Sequence, residues 1–201
     1  MFEPTFENAA LHDAFKLIAL SAEQRNILEL AARGAPLADA LNATVRAVAQ
    51  LRGPETRAGI FIFEPTGLLL KFGAAAGLEE GYTTKIDNFA IGANQPSCGK
   101  AAFVGQDIIV GDVASDAAWA PYLELAQEYN IRACWSFLLK GSRGQVLGTL
   151  ALYHRTPCEP HPADYEQVRY FAKIASYVIE KHIESVVNKS GRHPVGNVTL
   201  H

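Results

Sequence analysis

The chain is poor in the residues that mark disulfide, metal and membrane proteins. Its three cysteines, Cys98, Cys134 and Cys158, are an odd number at wide spacing with no CxxC pair, which argues against a disulfide framework and against the usual zinc spacings. Six histidines, at 12, 154, 161, 182, 193 and 201, are scattered and none lies at ligand spacing from a cysteine or carboxylate. No metal ligands are therefore expected. Charge of either sign is thin, with 18 Lys+Arg against 21 Asp+Glu and a net charge of -3, so neither a nucleic-acid footprint nor an acidic tail is present. No apolar run approaches the roughly 18 residues that cross a bilayer, and the start MFEPTFENAALHDAF lacks the basic and apolar regions of a secretory signal. A cytoplasmic protein with no nucleic-acid and no membrane partner is the expectation.

What the chain does contain is enough apolar material, 49% of 201 residues, for one sizeable core plus terminal helices, while two domains would be cramped. Ser21 to Gln24 has the form of a capping box before Ile27, Leu28, Leu30 and Ala31, and Gly34 supplies a stop, which predicts a helix over 21–33. Leu37, Leu41, Val45 and Val48 behind Pro36 give a second amphipathic helix ending near Gly53. Residues 58–63 and 68–76 have strand composition around the turn Glu64 to Gly67. After a polar stretch, Pro96 and Ser97 start a short helix that Gly105 closes, followed by the strand 108–110. A turn from Asp112 to Asp116 and a helix favoured by Pro121 come next, with the look of a lid. Strands 132–140 and 145–155 are joined by a turn with glycines at 141 and 144, and this hairpin is expected at the sheet centre.

The last long helix is expected over 163–187. Tyr165, Val168, Ala172, Ala175, Ile179, His182 and Val186 form one heptad-like stripe, and Phe171, Ile174 and Val178 form a second, offset face. One face is expected on the chain's own sheet and the other on a partner. Residues 188–201, rich in Gly, Pro and polar groups, are expected as a flexible tail or the start of a linker.

The element order resembles the GAF domain, and the most specific stretches are SCGKAAFVGQ at 97–106, IVGDV at 109–113, DAAWA at 116–120, IRACWS at 131–136 and VLGTLAL at 146–152. The likeness covers roughly residues 22–184 and is to the kind of GAF domain that precedes PAS, histidine-kinase or cyclic-di-GMP-turnover modules. It implies an α/β (α+β) fold with a central antiparallel sheet of about six strands. Terminal helices would pack on one face and a small-molecule pocket would lie under short helices and loops on the other. It divides the chain into a helical extension (1–20), the sensor domain (21–187) and the tail (188–201). It further implies a homodimer through the terminal helices and an output module elsewhere, since no kinase, cyclase or phosphodiesterase motif is present in these residues.

Candidate ligand contacts follow from residue chemistry. Cys98 opens a helix, where backbone N–H groups and the macrodipole lower a thiol pKa, although a free cysteine is often simply a buried packing residue. Strand alternation places Cys134, Ser136 and Leu138 on one face, toward the implied pocket, and Trp135, Phe137 and Leu139 on the other. Trp119, Tyr122 and Tyr129 are candidates for an aromatic wall or for the underside of the lid. Asp112 and Asp116 suit turns and caps as well as ligands. The expected function is a non-catalytic sensor of an unidentified small molecule, with no catalytic residue, no metal and no cofactor named. The alternative is a thiol-based redox sensor or methionine-sulfoxide-reductase-like enzyme using Cys98 and Cys134. Bilin attachment resembles a Cys-His pair that is absent here, because Cys98 precedes glycine and Cys134 precedes tryptophan.

Overall fold

A computed structural model of the chain describes residues 22–190 apart from 52 and 54. The capping box at Ser21 and the expected N-terminal extension therefore lie outside the described residues. Helix α1 spans residues 22–32, and α2 (Leu37–Leu51) buries Ala40, Leu41, Val45, Val48 and Leu51 along one face. Thr44 stays within that apolar face because its hydroxyl donates to the Ala40 carbonyl at 2.8 Å.

Strands β1 (Arg57–Glu64) and β2 (Leu69–Ala76) form the first hairpin. Its turn is tied by the Glu64 carboxylate, which accepts from the N–H groups of Thr66 and Gly67 at 2.9 and 2.8 Å. The polar stretch that follows contains two elements the sequence pattern does not reveal: helix α3 (Glu80–Lys85) and the two-residue edge strand β3 (Phe89–Ala90). Then come α4 (Ser97–Val104), β4 (Ile108–Val110), two 3-10 turns (Val113–Ser115 and Ala117–Tyr122) and α5 (Leu123–Glu128). Strands β5 (Ala133–Lys140) and β6 (Val146–His154) lead into α6 (Pro162–Ser190).

The six strands run β3-β2-β1-β6-β5-β4, every neighbour antiparallel, so the late hairpin inserts beside β1 and takes the centre. Gly148 makes that insertion possible. Its φ is 152°, and a Cβ there would run into the Phe61 carbonyl of β1.

Side chains divide by strand alternation. Ile60, Trp135, Phe137, Leu139, Leu150 and Leu152 meet α1, α2 and α6 on one face, while Phe61, Leu70, Cys134, Ala151 and Tyr153 face α3, α4 and the lid. The two expected faces of the last helix are not divided between the sheet and a partner. Val168, Ala172, Ala175 and Ile179 lie in the same core cluster as Phe171, Ile174 and Val178. The reason is geometric: α6 packs on β5 and β6 and also on α2, and two neighbours at an angle cover a wider arc than one seam. What α6 leaves exposed is Tyr170, Tyr177, Ile183 and Val186. The helix also continues through residue 190, so residues 188–190 are helical where a tail was expected.

Candidate functional site

On the face opposite the long helices, α3, α4 and the lid enclose a cavity of about 70 Å³. Its walls include Tyr82, Ile86, Phe89, Trp119, Tyr122, Leu125 and Tyr153, with Cys98 and Cys134 at the sheet side and Lys85 supplying the only formal charge among the lining residues. The size is well below the ~300–1,000 Å³ of ordinary small-molecule sites.

The cover is held by polar bonds at specific points. Trp119 Nε1 donates to Ser97 Oγ at 3.0 Å, and Tyr122 OH donates to Gln95 Oε1 at 2.9 Å. Arg57, only 4% exposed, donates from Nη1 to the Tyr129 carbonyl at 2.6 Å and from Nη2 to the Asn130 carbonyl at 2.8 Å, so β1 grips the end of α5. Burial, followed by the nearby Arg155 charge, lowers the Arg57 pKa from its ordinary value. At the outer edge Lys85 Nζ meets both Glu128 oxygens at 2.7 Å. Both side chains are about half exposed, and an ion pair in that setting holds little against solvent. The cover is therefore fastened firmly at its inner end and weakly at its outer edge.

Beneath the cavity the two thiols meet over one hydroxyl. Cys98 Sγ lies 3.0 Å from Ser136 Oγ, and Cys134 Sγ lies 3.8 Å from the same oxygen. Burial pushes the Cys98 pKa up, but the polar groups around it, Cys134 and Ser136 first and then Thr149 and Tyr153, outweigh it and leave the thiol below its ordinary range. Cys134 goes the other way, raised by burial and by its bond to Cys98. The shared site thus favours a thiolate on Cys98 over one on Cys134. Gly99, next in α4, lets the helix lie close against β3, because a Cβ there would sit 2.7 Å from both the Ala90 carbonyl and Gln95.

Of the residues singled out from sequence, Cys98, Trp119, Tyr122 and Cys134 line one cavity. Ser136 lies one layer deeper, bridging the thiols. Leu138 is on the expected strand but is not among the lining residues; its N–H donates to Asp107, toward the sheet edge. Asp112 is also elsewhere. It accepts from Ala114 N–H, pairs with Arg132 at 3.3 Å, and lines a separate surface groove with Ser115, Asp116 and Pro157. Asp112 is held at this cap, and neither it nor Leu138 is among the residues that line the cavity. Tyr129 packs against Tyr82 at a tilt, with ring centroids 5.3 Å apart, supporting the wall without lining the cavity. Sequence reasoning missed Tyr82, Phe89 and Tyr153. Tyr153 was within reach by alternation along β6, but Tyr82 and Phe89 sit in a stretch with no periodicity.

A six-stranded antiparallel sheet with helices on one face and a covered cavity on the other defines a small α/β domain of a widely shared fold. Within it, a profile of the GAF domain matches residues 34–180, and the chain belongs to the GAF domain family. It is 28% identical over 162 residues to a methyl sulfide methyltransferase-associated sensor of Methanosarcina acetivorans, covering 81% of this chain and 16% of that protein; it thus spans about a sixth of the length of that relative. Among the solved structures that share the fold, two illustrate its range. One is a domain of a putative two-component sensor histidine kinase from Sinorhizobium meliloti, with a TM-score of 0.62 and 20% identity over 75% of this chain and 95% of that one. The other is a free methionine-R-sulfoxide reductase from Neisseria meningitidis, with a TM-score of 0.69 and 15% identity over 92% and 97%. Among the described residues no helix is long and apolar enough to cross a membrane, and no three His, Cys, Asp or Glu side chains cluster as metal ligands.

Proposed function

We propose that this domain is a non-catalytic, cytoplasmic sensory module that admits a small, largely apolar molecule to the cavity between α4, the lid and β5. The observation that carries this is a covered aromatic cavity on the face opposite the long helices, with a half-exposed ion pair clasping its outer edge. A ligand larger than the present space enters by parting α3 from α5, and it shifts the domain only as far as it prefers the parted form. Cys98, Trp119, Tyr122 and Cys134 are the contacts, with Ser136 behind them. Signal passes to α6, whose exposed Tyr170, Tyr177, Ile183 and Val186 give a surface for a second copy of the chain and for a downstream module. The sensor name of the Methanosarcina relative supports the same role.

Native mass spectrometry of the purified chain, followed by a thermal-shift screen of small aromatic and aliphatic fragments, tests the proposal. A released adduct, or a rise in melting temperature that Leu125→Trp abolishes by filling the cavity, is expected. Absence of both would overturn ligand sensing. A chain that runs as a monomer by light scattering at micromolar concentration would overturn the dimer. The competing function is a thiol-dependent reductase, favoured by the meeting of Cys98 with Cys134 and by the fold shared with the Neisseria enzyme. Turnover of free methionine sulfoxide by the chain with a dithiol reductant would establish it in place of sensing.

A further inference from the structure

Cys98 stands in the first turn of α4, an eight-residue helix, where unpaired N–H groups and the helix dipole favour a thiolate. Cys134 reaches it from β5, and both sulfurs share the Ser136 hydroxyl. A second observation concerns a hydroxyl beside them. The Thr149 hydroxyl, on the cavity side of β6 and fully buried, has no hydrogen-bond partner, yet it lies close enough to favour the Cys98 thiolate. Buried hydroxyls are rarely left unpaired, and an oxygen atom added to the Cys98 sulfur would give this one an acceptor. The cavity that opens onto Cys98 has about 70 Å³, roughly the share of two waters in the liquid. That is room for a molecule the size of hydrogen peroxide.

We propose that Cys98 and Cys134 form a hydrogen-peroxide-reactive disulfide switch, in which Cys98 is the attacking thiolate and Cys134 the resolving thiol. The Cys98 sulfur attacks one peroxide oxygen; the S–O bond forms as the O–O bond breaks, and the departing hydroxide takes up a proton and leaves as water. Cys98 is then a sulfenic acid whose oxygen accepts from Thr149. The Cys134 sulfur attacks the Cys98 sulfur, the S–S bond forms, the S–O bond breaks, and hydroxide leaves as water with the Cys134 proton. One peroxide and two thiols thus become one disulfide and two waters, the peroxide oxygens gaining the two electrons the sulfurs lose.

The disulfide draws α4 toward β5 and takes Cys98 off Ser136. Just beyond α4, Asp107 accepts from Arg169 at 3.0 Å and from Tyr165 at 2.6 Å, both on α6, and from the Leu138 N–H at 2.8 Å. A displacement of α4 is therefore felt directly by the long helix. This switch needs no metabolite in the cavity, so it stands or falls separately from ligand sensing.

The test uses the full chain carrying Cys158→Ala, so that the third thiol takes no part. Hydrogen peroxide is added in modest excess, the reaction is stopped by thiol alkylation under denaturing conditions, and intact mass and peptide maps are read. Loss of two hydrogens with a cross-linked Cys98–Cys134 peptide pair, reversed by dithiothreitol, is expected. In Cys134→Ser, arrest at a dimedone-reactive sulfenic acid on Cys98 is expected. Survival of both thiols in the folded Cys158→Ala chain, under conditions that oxidise free cysteine, would overturn the proposal, whether or not the Cys134→Ser protein folds. Formation of the cross-link only after urea unfolding would overturn it as well.

Discussion

Replacing Arg57 by methionine tests how the lid is held. The guanidinium is 4% exposed and supplies the donors for the carbonyls of Tyr129 and Asn130 at 2.6 and 2.8 Å. A hydrogen bond from a charged donor contributes about 1.5–3 kcal/mol, so the pair is worth about 3–6 kcal/mol before compensation. Methionine keeps the stem packed and removes the cost of burying a cation, but it strands two carbonyls. A net loss of about 2–4 kcal/mol is expected, within the ~5–15 kcal/mol of an ordinary domain, so the fold should survive. Urea unfolding followed by circular dichroism measures the loss. Acrylamide quenching then locates it, because Trp119 lies under the lid and Trp135 is on the far face, both buried, and loosening at Arg57 should expose Trp119 first. A variant within about 0.5 kcal/mol of the parent, with quenching unchanged, would refute the assignment of Arg57 as the lid's anchor.

Three further outcomes follow from the same geometry. Gly148→Ala places a methyl against the Phe61 carbonyl at a φ of 152°, and thermal unfolding should show a loss of about 2–4 kcal/mol; a melting temperature unchanged from the parent would contradict the close β1–β6 approach. Burial raises the Glu180 pKa, but hydrogen bonds from Ser142 and Gln145 outweigh it and leave the carboxyl below its ordinary 4.5. Because the folded value is the lower one, its stabilisation is present above pH 4.5 and disappears as pH falls through the folded pKa. Glu180→Gln should flatten that part of a stability-against-pH profile, and an unchanged profile would count against the bond. Lys85→Ala removes the outer clasp, and since both partners are half exposed the unfolding midpoint should hardly move while acrylamide reaches Trp119 more readily. A large drop in the midpoint would mean that the clasp is not weak.

Local chemistry was sufficient for the elements with strong periodicity or punctuation. Leu37, Leu41, Val45 and Val48 specify α2 by spacing, Gly105 ends α4 in a left-handed conformation with φ at 72°, and alternation along β5 separates Cys134 from Trp135. The same local signals put Cys98, Trp119, Tyr122 and Cys134 forward, and the cavity gathers all four. Helix α3 and strand β3 were not legible, because a six-residue helix and a two-residue strand are too short to show a period. With them went Tyr82 and Phe89. Asp112 illustrates the opposite case, a polar residue whose type suits a ligand but whose strand-end position suits a cap.

The sequence by itself determined which residues form α2, α4, β5, β6 and α6, since those follow from spacing, caps and alternation within each segment. Only the tertiary structure decided what each face meets. The second apolar face of α6 went to α2 and the chain's own core because helix spacing encodes how much surface is buried and not against whom. The meeting of Cys98 with Cys134 depends on the strand order β1-β6-β5-β4, which sets α4 over β5 and which no spacing between two distant cysteines contains.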